Sequence, residues 1–265
     1  MTPWFPFLLF LEDPNVHQWV VTGILVSSLP TYLALTYIPE TWGKTLTTDS
    51  LLVRFFPSIS APVAWFFFEV PNLYWSAYYW NVVSSLEQHI LLSLFVLHYV
   101  QRAILYPLML AKSTKRIPLP VVLAAFAFTN CNGYAQGYAL SHTDVSNNGH
   151  YRPFSFSLGL LLFFTGFFIN LQSDAILRKL RHQGDGYQIP YGGMFGYVST
   201  PHYFGEIVEW MGFCIACHRN GASVAFVIYT ASNLVPRSRA HHVWYQTTFG
   251  DKYPRERKAI VPFFY

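Results

Sequence analysis

Charge is what this chain has least of. Only 11% of its 265 residues are Asp, Glu, Lys or Arg, against roughly 25% in soluble domains. Hydrophobic residues make up 52% and aromatic residues 19%. So little charge cannot clothe a water-facing surface of this size, which excludes an ordinary soluble domain and makes lipid the expected solvent for much of the chain. Cysteine is scarce as well. The three present, Cys131, Cys214 and Cys217, cannot all pair with one another, which excludes a disulfide scaffold. CIAC has the spacing of a redox or metal pair, but no His or further Cys stands at ligand spacing, so packing is expected and a metal is not. The opening MTPWFPFLLFLEDP has an apolar run without a basic n-region or a small-residue cleavage site, so no removable signal peptide is expected. Neither an internal repeat nor a linker interrupts the sequence, and a single domain over 1–265 is expected.

What is present in abundance is long apolar runs. Membrane helices need about 20 mostly apolar residues, and seven candidate spans lie near Val16–Ile38, Phe55–Tyr74, His89–Leu110, Leu119–Tyr138, Phe154–Ile176, His202–Ala216 and Ala222–Val235. Lys and Arg collect on the cytoplasmic side of short loops. With the N-terminus outside, the inner loops and tail would hold Lys44, Lys112, Lys115, Arg116, Lys179, Arg181, Arg237, Arg239, Lys252, Arg255, Arg257 and Lys258, leaving Arg152 and Arg219 outside. The formal charge of +4 therefore reads as topology, not as a nucleic-acid surface. NLYWSAYYW, residues 72–80, suits an interfacial aromatic belt. The expected fold is all-α: a polytopic bundle of seven transmembrane helices with its C-terminus in the cytosol.

An ionisable group costs about 3 kcal/mol or more at the bilayer centre and normally faces a bundle interior or cavity. Glu69, after three aromatics in AWFFFEVP, is either such a group or an interfacial one. In LFVLHYVQRAILY, Tyr99 and Arg102 share a helical face; the phenol can give a proton to an oxygen or simply hold a carbonyl. NCNGYAQGY sets Asn130, Asn132 and Gln136 beside Gly133 and Gly137, and these suit either close helix packing or a ligand. FFINLQSDAILRKLR, residues 167–181, places Asn170, Asp174, Arg178 and Arg181 at steps of about one turn. His202, Glu206 and Glu209 repeat that pattern, as do Arg237, His241 and Tyr245. The glycines of residues 182–210 are spaced wrongly for a dinucleotide-binding G-x-G-x-x-G, and no strand precedes them. Three polar stripes expected on one side of the membrane suit a large anionic ligand, because guanidiniums bind phosphate bidentately.

LHYVQR, NGYAQGY, NLQSDAILRKLR, IPYGGMFGYVS, FGEIVEW and DKYPRERKAIVPFFY resemble the steroid 5α-reductase family of membrane reductases. The resemblance runs from about Glu69 to the C-terminus. It implies a seven-helix fold with a cytosol-facing NADPH site and an apolar cavity for a steroid or other enone lipid. By motif, Glu69 and Tyr99 resemble the pair that grips the 3-keto oxygen of the substrate. Asn170, Asp174, Arg181, Glu206, Arg237, His241 and Tyr245 match positions that enclose the dinucleotide, and Arg102, Asn132, Tyr187 and His202 extend that wall. The implied reaction is reduction of the C4–C5 double bond of a 3-oxo-4-ene steroid.

Three positions depart from the family pattern. Phe68 stands where a glutamine usually precedes the glutamate, His202 replaces an asparagine, and Gln188 an arginine. A related reductase of polyprenol-type or enoyl-CoA lipids is the alternative. A methyltransferase and a lipid receptor are further rivals, against which the Asn170/Asp174 wall and the conjunction of Glu69 with Tyr99 argue. A monomer in the endoplasmic reticulum membrane of a eukaryote, or the inner membrane of a bacterium, is expected, with membrane lipid around it and no nucleic-acid partner.

Overall fold

The computed structural model describes residues 10–38, 55–110, 113–142, 153–182 and 186–265. Lys44, Lys112 and Arg152 of the charge pattern, and the first nine residues, lie outside them. Among the described residues the architecture is helical, with seven main helices: α1 (Pro14–Tyr37), α2 (Ala61–Trp80), α3 (Leu86–Met109), α4 (Leu119–His142), α5 (Pro153–His182), α6 (Pro201–Ala216) and α7 (Gly221–Phe249). Three of these are long and apolar enough to cross a membrane by length and composition: α1, α3 and the stretch Pro153–Arg181 of α5.

Element boundaries follow from local chemistry. The second helix begins six residues later than the apolar run at Phe55. Ser58–Ser60 (β1) instead pairs antiparallel with Arg116–Pro118 (β2), Ile59 opposite Ile117, and Pro62 then occupies the first turn of α2, where its missing N–H costs nothing. Helix α3 opens with a capping box in which Gln88 N donates to Ser85 Oγ at 3.1 Å and Ser85 N to Gln88 Oε1 at 2.9 Å. The same glutamine reaches the Leu140 carbonyl on α4 at 2.8 Å. Between α6 and α7, His218 and Arg219 both take positive φ, 54° and 58°, and Asn220 caps the new helix by accepting from Ser223 N at 2.8 Å. Helix α7 runs well past Val235, through Pro236 to Phe249. The turn after that proline is held by Ser238, which is fully buried and accepts from the Thr200 hydroxyl at 2.7 Å.

The chain packs as two compact units. Unit 1 comprises Met1–Ser27, Thr47–Pro153 and Arg219–Phe226; unit 2 comprises Ser28–Leu46, Phe154–His218 and Val227–Tyr265. Within unit 1, glycines of α4 admit the aromatic face of α2. A Cβ on Gly133 would sit 3.0 Å from the Trp75 ring, and one on Gly137 would overlap the Tyr79 ring. In unit 2, α5 and α6 touch backbone to backbone at two glycine pairs spaced by seven residues. A Cβ on Gly159 would fall 2.6 Å from the Gly212 carbonyl oxygen, and one on Gly205 2.6 Å from the Gly166 carbonyl oxygen. Small residues at such crossings let helices associate where lipid supplies no hydrophobic drive. The C-terminal segment then docks on the residues before α6: Ser199 N donates to the Lys258 carbonyl at 2.9 Å and Lys258 N to the Tyr197 carbonyl at 2.9 Å.

Gly205→Ala should therefore lower stability by about 1–3 kcal/mol, the usual cost of overpacking. Gly23→Ala, whose Cβ would meet nothing within 4 Å, should be neutral or mildly stabilising. Thermal midpoints of the two variants in one detergent check both outcomes.

Candidate active site

The residues of interest fall in two groups, one in each unit. In unit 1, polar side chains from α2, α3 and α4 form one hydrogen-bonded chain. Its orientation is set at one end by a backbone carbonyl, which can only accept. Gln136, 1% exposed, donates through Nε2 to the Ala222 carbonyl at 2.9 Å and to Asn132 Oδ1 at 3.2 Å. With its oxygen so used, Asn132 presents Nδ2 to two oxygens: the Tyr99 hydroxyl at 3.5 Å and Asn72 Oδ1 at 3.4 Å. Both contacts are long, yet Asn132 and Asn72 are wholly buried and Tyr99 nearly so. The amide of Asn132 thus approaches Tyr99 as a donor, and the phenol proton is directed to some other acceptor.

Glu69 lies one turn before Asn72 on the same face of α2 and is half-buried. Phe68 points into the core, 4% exposed, with its ring edge-to-face on Trp65 at 5.5 Å. Arg102 is buried in a π-helical turn, Gln101–Leu105, that interrupts α3; such turns recur at functional sites. Its guanidinium lies over the rings of Trp65 and Tyr106, 5.6 and 5.4 Å from their centroids. The structure thus brings together Tyr99 and Asn132, gives Gln136 a supporting position that spacing alone left open, and adds Asn72, which the sequence showed only at the start of an aromatic stretch. Amide bridging between helices and close glycine packing, the two readings of NCNGYAQGY, both occur.

In unit 2, Asn170 on α5 donates to the His202 carbonyl at 3.0 Å and to Glu206 Oε2 at 3.4 Å on α6. This juxtaposition depends on the Gly166/Gly205 contact one turn away, which brings the helix backbones close enough for a short amide to cross. Asp174 is buried one turn further along α5, and Arg181 near its end is exposed. His202 packs on Tyr203 at 4.2 Å, and Tyr203 faces His241 on α7 at 5.7 Å. Tyr187, 43% exposed, meets the edge of Trp244 at 4.9 Å. Arg237 and His241 are half-buried on α7, one turn apart.

Tyr245 is buried, and its ring is stacked on that of Tyr253 at 5.3 Å and 7°. Burial pushes its hydroxyl pKa well up, against the opposing pull of Arg257 and Arg181, so it is a neutral donor at physiological pH.

One residue of this group escaped sequence reasoning. Arg257, 3% exposed, lies between the rings of Tyr191 (4.9 Å) and Tyr253 (5.3 Å). Its Nε and Nη1 have no hydrogen-bond partner. In the sequence it is one cation in the run RERK and reads only as topology. Neighbouring Arg255 has that character, pairing with Asp251 at 2.7 Å in full exposure.

Long apolar helices that enclose small polar clusters within each unit define a membrane protein with buried polar sites. Comparison with known proteins gives the family. Residues 115–265 match the family described as 3-oxo-5-alpha-steroid 4-dehydrogenase. The chain is 37% identical to steroid 5-alpha-reductase DET2 of Solanum lycopersicum, over 97% of this chain and 100% of that protein. It is 34% identical to the protein of that name from Arabidopsis thaliana, over 96% and 99%, and 39% identical to 3-oxo-5-alpha-steroid 4-dehydrogenase 1 of Homo sapiens, over 78% and 81%. The chain belongs to the steroid 5-alpha-reductase family.

The seat of the C-terminal segment is sensitive to pH. His242, beyond the apolar part of α7, has Nδ1 2.6 Å from Ser199 Oγ, and the Tyr253 hydroxyl lies 2.6 Å from the same oxygen. Burial first, then Lys258, lowers its pKa below the ordinary 6.5. The unfolded chain therefore takes up a proton at a higher pH than the folded one, and stability present above about pH 6.5 is lost as pH falls below it. Thermal midpoints between pH 7.5 and 5.5 should fall with acid, and His242→Gln should flatten that slope.

Proposed function

We propose that this chain is an integral-membrane, NADPH-dependent 3-oxo-5-alpha-steroid 4-dehydrogenase that reduces the C4–C5 double bond of a 3-oxo-4-ene steroid to the 5α product. The observation that carries the reading is the buried chain Ala222–Gln136–Asn132–Tyr99, an arrangement that aims a phenol as donor, in a member of this family. In keeping with the family, residues 1–265 form one reductase domain. Its seven helices span the membrane with the N-terminus outside, and the cofactor is taken up from the cytosol.

The residues of unit 2 fit a dinucleotide. Asn170, Asp174, Glu206, His202 and His241 offer donors and acceptors for ribose and amide groups, Tyr187 a ring face, and Arg181 and Arg237 cations for phosphates. Arg257 is a physical argument for the fit. A guanidinium cannot shed its proton, and burying it with two N–H groups unpaired is costly unless an anion completes the pocket. Tyr245 supplies a neutral hydroxyl beside it. By the family resemblance Asn132 and Arg102 are further candidates for cofactor contact. When bound, NADPH supplies a hydride.

At the substrate the protein's task is electrostatic. Conjugation makes the β-carbon of an enone electrophilic, and negative charge gathers on the 3-keto oxygen as that carbon is reduced. Donors aimed in advance at that oxygen stabilise the developing enolate without reorganising. Tyr99, held from behind by Asn132, gives one such bond; Glu69, when protonated, gives a second. The apolar lining of the bundle excludes water and strengthens both. A proton that comes ultimately from solvent then adds at C4, so that the substrate gains one hydride and one proton.

Purified protein in nanodiscs with NADPH and progesterone should yield a product heavier by two hydrogens that co-elutes with the 5α standard. Tyr99→Phe should cut kcat by on the order of 10²-fold, as the loss of one oxyanion donor does elsewhere. Glu69→Gln, whose amide still donates, should retain partial activity. NADPH binding without turnover of progesterone or testosterone would move the substrate to another enone lipid, with Phe68 the first position to exchange.

A further inference from the structure

Asn72 occupies an unusual position for a buried amide. It is fully enclosed, 0% exposed, and its Nδ2 has no hydrogen-bond partner. Buried amide N–H groups are nearly always paired, because leaving one unsatisfied costs roughly 1–3 kcal/mol. Its two polar atoms cannot simply be exchanged to relieve this. The Ala222 carbonyl fixes Gln136 as donor, Gln136 fixes the Asn132 oxygen as acceptor, and Asn132 Nδ2 therefore requires an oxygen from Asn72. The direction of the whole chain leaves Nδ2 as the atom of Asn72 without a partner. Nor is the side chain free to move away: a Cβ on Gly133 would lie 3.1 Å from the Asn72 Cα, so α4 already touches the α2 backbone at this point.

The same Asn132 amide that holds Asn72 also touches the Tyr99 hydroxyl, and Glu69 stands one turn earlier on the face of α2 that carries Asn72. We propose that Asn72 is a third donor to the 3-keto oxygen of the substrate, its Nδ2 bonding the charge that develops there beside Tyr99 and Glu69. This rests on the reductase reading above and deepens it. The oxygen of the enone is the acceptor that the orphaned N–H lacks in the free protein, and part of the cost of burying that N–H unpaired is recovered only when the oxygen arrives. As the oxygen gains charge during reduction the bond strengthens, so the contribution is larger at the transition state than in the substrate complex. The reaction is otherwise unchanged: Asn72 donates a hydrogen bond and gives up no proton.

The test uses the full chain in nanodiscs, with Asn72→Ala and the nearly isosteric Asn72→Asp, each checked by its thermal midpoint. Three ligands are compared: progesterone for turnover with NADPH, a steroid bearing a carboxylate at position 3 as an enolate mimic, and a 3-deoxysteroid that lacks the oxygen. Asn72→Ala should lower kcat by on the order of 10²-fold and weaken the 3-carboxylate steroid comparably. Affinities for the 3-deoxysteroid and for NADPH should stay as in the wild type. Asn72→Asp, which replaces the donor by a repelling acceptor, should be the worse of the two on both turnover and the carboxylate. Turnover and carboxylate affinity within about twofold of wild type in either folded variant would overturn the proposal. Equal weakening of the 3-deoxysteroid would also overturn it, since that ligand reports packing alone. A wild-type protein that binds NADPH and the 3-deoxysteroid but never reduces an enone would instead refute the reductase reading, and this proposal with it.

Discussion

The rest of this molecule depends on the need of buried amides for partners in a medium that supplies none. A soluble protein can leave a glutamine to water; in an apolar bundle an N–H that finds no acceptor in the protein is costly. Gln136 does so by donating to the Ala222 carbonyl in the first turn of α7. Because a carbonyl only accepts, that contact fixes which atom of each following amide donates. The polarity passes through Asn132 to Tyr99 and Asn72. On the proposed function, that structural necessity is also the device that aims donors at a reacting oxygen.

Unit 2 meets the same constraint with different residues. Its helices α5 and α6 approach at glycines rather than through long side chains, and the closeness lets Asn170 cross to the His202 carbonyl and Glu206. Polar groups here are short and crowded, which suits a large ligand with many small recognition points. The aromatic stack of Tyr245 and Tyr253, with Arg257 beside it, ties the C-terminal segment into this region.

Much of the helical layout was legible in the sequence because long apolar runs broken by Pro, Gly and charge have few alternative readings in a membrane protein. The polar stripes at Asn170/Asp174, His202/Glu206 and Arg237/His241 were legible for the same reason: periodicity within one helix is local information. Partnership between helices was not. Gln136 and Ala222 are 86 residues apart, and neither residue's neighbours announce the other. The start of α2 was misplaced because the apolar run at Phe55 continues through a short strand that only its pairing with Arg116–Pro118 reveals. The span expected to end at Val235 continues as helix through Pro236 to Phe249, in keeping with the helical steps of Arg237, His241 and Tyr245, and the Thr200–Ser238 contact holds the turn after the proline. Arg257 was invisible in a basic run whose other members are solvated.

The central claim is that the buried amide chain polarises the carbonyl of a bound enone. The most direct measurement is the infrared difference spectrum of testosterone labelled with carbon-13 at C3, bound to the wild-type protein and to Gln136→Leu. The account predicts a 3-keto stretch displaced to lower frequency in the wild-type complex and largely returned toward its value in an apolar solvent by the substitution, even though Gln136 itself does not touch the ligand. An undisplaced carbonyl in the wild-type complex, or the same displacement in both proteins, would contradict it.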